Sequence, residues 1–235
     1  MQASWLTTPL GRPSPLDSAR LRIVVVTIIL NVLVVGLLVF APWSNWRTGL
    51  ALNLLDNVIL GVFALRHRDR FLGHLLVFGL VVGLVELAAD AWLVDSTRTL
   101  DYSPGGGPML WRSPIWMPLA WQIVAVQFAV VGERLRQWRP LTGLALTALL
   151  GAVNIPYYEE MARRIHWWIY SGCRMISGTP YYIIVGEFVI AAGLALLATP
   201  VRRLEWLRTL AAGFAGGVLI FVAYAIAYFF TDRAF

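Results

Sequence analysis

Long apolar runs set the first limit on what this chain can become. Hydrophobic residues gather in stretches of about 18–25, the length a helix needs to cross ~30 Å of hydrocarbon. Seven such stretches fill most of the sequence, at 22–42, 48–65, 72–95, 114–133, 140–158, 181–199 and 209–230. Of the 235 residues 59% are hydrophobic and 14% charged, whereas a soluble domain carries about 25% charged residues. An ordinary globular domain, a disordered chain and a secreted disulfide scaffold are thereby excluded. The expected fold is all-α, a polytopic integral membrane bundle of seven transmembrane helices forming one domain over 22–230. A cytoplasmic leader at 1–21 precedes it and a short tail at 231–235 follows. The first run has a positive flank but no small-x-small cleavage pattern, so it reads as a retained signal anchor.

Charge placement supplies the orientation. All nineteen basic residues are arginine. Without lysine no retinal Schiff base can form, because that linkage needs a lysine amine. Three short connections are strongly basic: Arg66, Arg68 and Arg70; Arg134, Arg136 and Arg139; and Arg202, Arg203 and Arg208. Alternating spans put all three on the side of the N-terminus. The positive-inside rule makes that side cytoplasmic and sends the C-terminus outside, in what reads as a bacterial plasma membrane. The net charge of +6 therefore serves topology, and no nucleic-acid partner is expected. Cys173 is the single cysteine and cannot alone form a disulfide or a zinc site. The two outer loops, 96–113 and 159–180, are less basic. One contains Pro104-Gly105-Gly106-Gly107-Pro108, which excludes regular helix. The other contains Met161–Tyr170, a short amphipathic stretch suited to the interface.

Charges inside hydrocarbon are costly and usually mark a site facing the bundle interior. The second span carries Asn53, Asp56 and Asn57 at i, i+3 and i+4, and the third carries Glu86 and Asp90 at i and i+4. Each set shares one helix face. Two carboxylates so placed do not both ionise cheaply in a dry site, so one keeps its proton near neutral pH, the condition for a general acid. Glu187 lies in the outer part of the sixth span, and Gln122 and Asn154 sit at similar depth. Glu159 and Glu160, with Arg163 and Arg164, read as an interfacial salt-bridge cluster. Trp92, Trp116, Trp121, Tyr158 and Tyr182 crowd the outer side, either as an interfacial belt or as walls of a cavity. His67 and His74 read as surface or interface residues.

A cavity of carboxylates and amides rimmed by Trp and Tyr suits an apolar guest that enters from lipid. A protonated acid can donate to an alkene, epoxide or carbonyl. Aromatic faces then stabilise the cation by roughly 0.5–2 kcal/mol each, and dry walls prevent quenching. On this reading Glu86, Asp90, Asp56 and Glu187 are the candidate catalytic residues. Asn53, Asn57, Trp92, Trp116, Trp121, Gln122, Asn154, Tyr158 and Tyr182 are the candidate binding residues for an isoprenoid or other membrane lipid. The chemistry, cyclisation or double-bond isomerisation, needs no cofactor and no metal. The order Asp56, Arg68-Asp69-Arg70, Gly73, Glu86-Leu87 resembles the early helix-pair region of the transmembrane terpene cyclases of meroterpenoid pathways. The resemblance covers about thirty residues and implies that Glu86 starts a protonation-driven cyclisation. It departs from the family pattern at Val85, where that family usually has Trp, and in the last span, where the family's second acid is missing and Glu187 is the candidate substitute. Intramembrane carboxylates serve proton-coupled transporters or lipid carriers equally well, and a magnesium-dependent prenyl-transfer enzyme or a non-catalytic assembly subunit also fits the composition.

Overall fold

In the computed structural model, which describes residues 14–233, seven long helices make up most of the chain. They are α1 (Pro15–Leu38), α2 (Trp46–Arg66), α3 (Arg70–Trp92), α4 (Met117–Trp138), α5 (Pro140–Ile165), α6 (Tyr181–Val201) and α7 (Trp206–Tyr228). Two of them, α3 and α7, run on into single π-turns at Leu93–Thr97 and Phe229–Arg233. All except α4 are long and apolar enough to cross a membrane. The fold is all-α, with the helices an integral membrane protein requires.

The exception has a physical reason. α4 carries Gln122, Gln127, Glu133, Arg134 and Arg136, and Gln122, Glu133 and Arg136 are buried. α1, α2, α3, α5 and α6 all pack against it, so its polar groups meet protein rather than lipid. The close contacts of α3 to α7 form the body, and α1 and α2 lie on its flank with most of their apolar surface exposed. Small residues allow the closest approaches, as expected where packing rather than hydrophobicity joins helices. Gly79 and Gly83 of α3 lie against the backbone of Gln122 and Pro118 in α4, and Gly151 of α5 lies against the Glu187 carbonyl of α6.

Two boundaries differ from the sequence expectation. α1 begins at Pro15, inside the segment read as a leader, because Ser14 and Asp17 form a capping box and Pro15 occupies the first helical position. α5 continues to Ile165, so Met161–Tyr170 is not an interfacial helix. Its first half is the last part of α5, and its end, Ile169–Tyr170, is a strand.

One end of the bundle is held by charge. Arg20 of α1 is 4% exposed and binds Asp69 in a fork, Nε to Oδ2 at 2.7 Å and Nη2 to Oδ1 at 3.0 Å. Asp69 also caps α3 through the Leu72 amide. Asp17 accepts from both Arg20 (2.6 Å) and Arg202 (3.0 Å), and Arg202 pairs with Glu133. The Arg20 and Arg202 guanidinium groups lie 4.9 and 4.3 Å from the ring centre of Phe71. The start of α1, the α2–α3 turn, the end of α4 and the α6–α7 turn are thus tied at one end. Contrary to expectation, His74 is buried there, stacked on Trp206 and hydrogen-bonded to Thr209 at 2.8 Å.

The opposite end is closed by the long loops. Strand β1 (Leu100–Asp101) pairs with β4 (Ile169–Tyr170), joining the α3–α4 loop to the α5–α6 loop. The other short ladders, β2 (Met109–Leu110) with β3 (Ser113–Pro114) and β5 (Met175–Ile176) with β6 (Thr179–Pro180), are local. Gly107 has φ of +88°, and a Cβ there would strike the ring of Trp46, so the Gly-rich stretch bends under that indole as no bulkier residue could. Trp167 donates to the Asn45 carbonyl ahead of α2 at 3.1 Å.

Candidate functional site

Directly beneath these loops, acids from three helices meet. Asp90 sits near the end of α3, Glu159 near the end of α5 and Glu187 in the second turn of α6. All three line a cavity of about 280 Å³. Trp116, Trp121, Trp167, Trp168 and Tyr158 form further parts of its wall, with Trp116, Trp167 and Trp168 clustered at centroid spacings of 5.3–6.2 Å. Away from the acids the lining is uncharged, with Ile28, Val35, Leu52, Ile123 and Phe128 interspersed with the amides of Asn31, Asn53 and Gln127. The volume lies just under the ~300–1,000 Å³ common for ligand pockets. Scaled from the ~150 Å³ cavity that holds six-carbon benzene, it admits an apolar body on the order of a dozen carbons. Leu150 and Asn154 line it and are themselves exposed, so it reaches the protein surface along α5.

Each lining acid is held by neutral donors. Asp90 Oδ2 accepts from the Tyr102 and Ser113 hydroxyls, both at 2.7 Å. Glu187 Oε1 accepts from the Tyr224 hydroxyl at 2.6 Å. Glu159 accepts from Trp168 Nε1 at 2.6 Å and from the Tyr170 hydroxyl at 3.4 Å. Among the described residues no arginine or histidine lines the cavity. Among the described residues none of these acids has a guanidinium within ion-pair distance. Burial and the neighbouring Asp90 push the Tyr102 hydroxyl well above its usual range, and burial with Glu159 nearby does the same for Tyr170. Both stay protonated and remain donors. Burial pushes the Cys173 thiol up to about 11, so it is no thiolate nucleophile near neutrality.

The residues singled out from the sequence divide into two sets. Asp90, Glu187, Asn53, Trp116, Trp121, Asn154 and Tyr158 line the cavity. Glu86 does not. It is fully buried behind Asp90, abutting that carboxyl and Trp121, and neither oxygen makes an aligned hydrogen bond. Asp56 is also fully buried and unaligned, facing the Asn31 side chain of α1 beside the cavity rather than in it. Asn57 donates to the Asn53 carbonyl of its own helix. Gln122 donates to the Leu76 carbonyl at 2.9 Å and fastens α4 to α3. Trp92 packs on Phe221 and Tyr228 of α7, and Tyr182 hydrogen-bonds to Thr99 at 2.7 Å and anchors the loop.

Other residues of the site escaped sequence reasoning. Glu159 is not part of a surface salt-bridge cluster: Glu160 alone pairs with Arg163 and Arg164, while Glu159 turns inward. Helical period held the signal, since Glu159 falls on the face of the buried Gly151 and Ala162 and Glu160 lies about 100° away. Tyr102, Ser113, Trp167, Trp168 and Tyr170 reach the site only through loop folding, which no period encodes.

Comparison with known proteins gives one family. Residues 87–231 match the family described as Domain of unknown function (DUF6989). That is more than half of the chain, and the chain belongs to this family. The matched segment contains Asp90, Glu159 and Glu187 and leaves α1 and α2 outside. No curated protein and no solved structure matches the chain.

Proposed function

We propose that this member of the DUF6989 family is an integral membrane enzyme that protonates an apolar isoprenoid or similar lipid and cyclises or isomerises it. In this reading all seven helices span the membrane, α4 shielded by its neighbours. The arginine-bound end and the N-terminus face the cytoplasm, the C-terminus lies outside, and the membrane is a bacterial plasma membrane. One observation carries the chemistry: among the described residues, a cavity walled by tryptophan holds three carboxyl groups and no cation.

Asp90 is the acid that meets the substrate. Its Oδ2 accepts two hydroxyl donors, which stabilise the carboxylate left after proton transfer and so favour donation. Glu86, packed behind it and near Glu187, passes its proton to Asp90 between turnovers and regains one from the proton that the substrate leaves on Glu159 or Glu187. The donated proton forms a C–H bond at one carbon of an alkene as its π bond opens, or an O–H bond at an epoxide or carbonyl oxygen as the epoxide C–O bond or the carbonyl π bond breaks, and leaves a carbocation at the neighbouring carbon. In a cyclisation the π electrons of a second double bond close on that carbon, forming the ring C–C bond and carrying the charge onward. Trp116, Trp121 and Trp168 present π-faces to that charge. Loss of a proton from a neighbouring carbon to Glu159 or Glu187 restores a double bond. No proton is consumed overall, and neither metal nor redox cofactor is required. The likeness of the Asp56-to-Leu87 stretch to the transmembrane terpene cyclases supports the same chemistry, with the role that likeness gives to Glu86 passing to Asp90.

The test is turnover. Membranes carrying the protein are incubated with acyclic isoprenoid alcohols, epoxides and prenylated aromatics of ten to fifteen carbons, and products are separated by gas chromatography with mass detection. The expected result is an isomeric product of unchanged mass, lost in Asp90→Asn. Undiminished conversion by Asp90→Asn would overturn the assignment.

A further inference from the structure

The charge balance of the cavity also specifies a ligand that needs no turnover. Asp90, Glu159 and Glu187 line it and Glu86 lies behind, and among the described residues no cation lines it. Glu187 is 4% exposed. Its Oε1 accepts from Tyr224, and Oε2 has no hydrogen-bond donor among the described residues. The rings of Trp116, Trp121, Trp167 and Trp168 surround the same space, while the lining from α1, α2 and α4 combines Ile28, Val35, Leu52, Ile123 and Phe128 with the uncharged amides Asn31, Asn53 and Gln127. Acid on one side, indole faces around it and an uncharged slot beyond are the complement of an organic cation carried on a hydrocarbon body. An ammonium set against aromatic faces is attracted by the ring quadrupoles, more strongly as water is removed, and a buried carboxylate adds a partner that the fold leaves without a counter-ion.

We propose that the cavity is a binding site for monocationic amphiphiles: a quaternary or protonated tertiary amine on an apolar body of about a dozen carbons. The cation sits between Glu187, Glu159 and the tryptophans, and the hydrocarbon occupies the slot toward Ile28 and Phe128. Anionic amphiphiles of the same size are rejected, because the lining described offers carboxyl groups and no cationic partner.

The experiment uses the full chain in nanodiscs of zwitterionic lipid, read by tryptophan fluorescence and corrected with empty nanodiscs. The probes are N,N,N-trimethylgeranylammonium, its uncharged carbon isostere with a tert-butyl group in place of the ammonium, and geranate. The expected result is that the ammonium binds at least tenfold more tightly than the isostere and that geranate does not bind. In Glu159→Gln/Glu187→Gln, and in Glu187→Gln alone should the double variant not fold, the preference falls several-fold. In Glu160→Gln, whose carboxylate faces outward to Arg163 and Arg164, it is unchanged. Equal binding of ammonium and isostere, or a preference indifferent to Glu187, overturns the proposal. Binding of the ammonium without conversion of any isoprenoid would defeat the enzymatic reading and leave this one standing; conversion without ammonium preference would do the reverse.

Discussion

Asp90 and Glu86 share a helix face, yet the chain uses them differently. Asp90 meets the cavity with two hydroxyls on one oxygen, and Glu86 has no aligned partner at all. Asp90→Asn keeps the shape and removes the proton, so turnover should fall by about 10²–10⁴, the usual worth of a general acid. Tyr102→Phe removes one donor to that oxygen. A hydrogen bond to a charged group contributes about 1.5–3 kcal/mol, so kcat should drop roughly 10- to 100-fold while KM changes little, which a substrate titration of the two proteins checks. Cys173→Ser should leave activity unaltered, since that thiol is held protonated and lies outside the cavity lining. Asp90 and Glu187 were legible in the sequence because an acid inside an apolar run has few structural excuses. Glu159 was legible only by helical phase, and the Glu159-Glu160 pair masks that phase by placing a surface acid beside a buried one. Tyr224 was not legible, because a tyrosine in an apolar run reads as packing until its hydroxyl is found 2.6 Å from Glu187.

At the scale of elements, polarity is explained by position. α4 has the composition of a poor membrane helix because five neighbours cover it, and apolar-run counting sees only the helix's own residues. The start of α1 was hidden for the same reason: Arg20 reads as a positive flank until Asp69, forty-nine residues away, is brought against it. Arg20→Ala leaves Asp69 buried and uncompensated, and breaking a buried pair costs about 3–5 kcal/mol. A large fall in Tm with no change in the cavity's ligand preference is the expected outcome, measured by thermal unfolding in detergent. Gly151 marks the reverse case, where packing and site are one. A Cβ there would lie 2.5 Å from the Glu187 carbonyl oxygen and 2.7 Å from Ala191, so Gly151→Val should push α6 off α5, destabilise by about 1–3 kcal/mol and displace Glu187. Thermal unfolding and isoprenoid conversion should both suffer, unlike Arg20→Ala, where turnover per folded molecule survives.

Over the whole molecule, the ends differ: arginines and their acids hold one, with Arg20 and Asp69 buried, while at the other the cavity acids lie without a paired arginine under a tryptophan-rich cover whose ion pairs, such as Glu160 with Arg163 and Arg164, stay at the surface. Apolar runs and basic loops made that polarity legible in the sequence, but the cover came from loop pairing at Leu100 with Tyr170, which has no sequence period. With the arginine end in the cytoplasm, a membrane-impermeant maleimide added to intact cells should label Ser103→Cys and spare Arg134→Cys, both made in Cys173→Ser; the opposite pattern would reverse the orientation. Leu150 and Asn154 are exposed at the cavity's edge, the sideways entrance that the proposed lipid substrate would use without crossing water. The central claim is that the cavity gives its guest a proton from a carboxyl group exchangeable with solvent. Conversion run in D₂O and read by deuterium NMR of the product tests it most directly. For a substrate protonated at an alkene, one solvent-derived deuterium fixed on carbon, and no product from Asp90→Asn, is the result this account requires; product without that deuterium, or formed undiminished without Asp90, would contradict it.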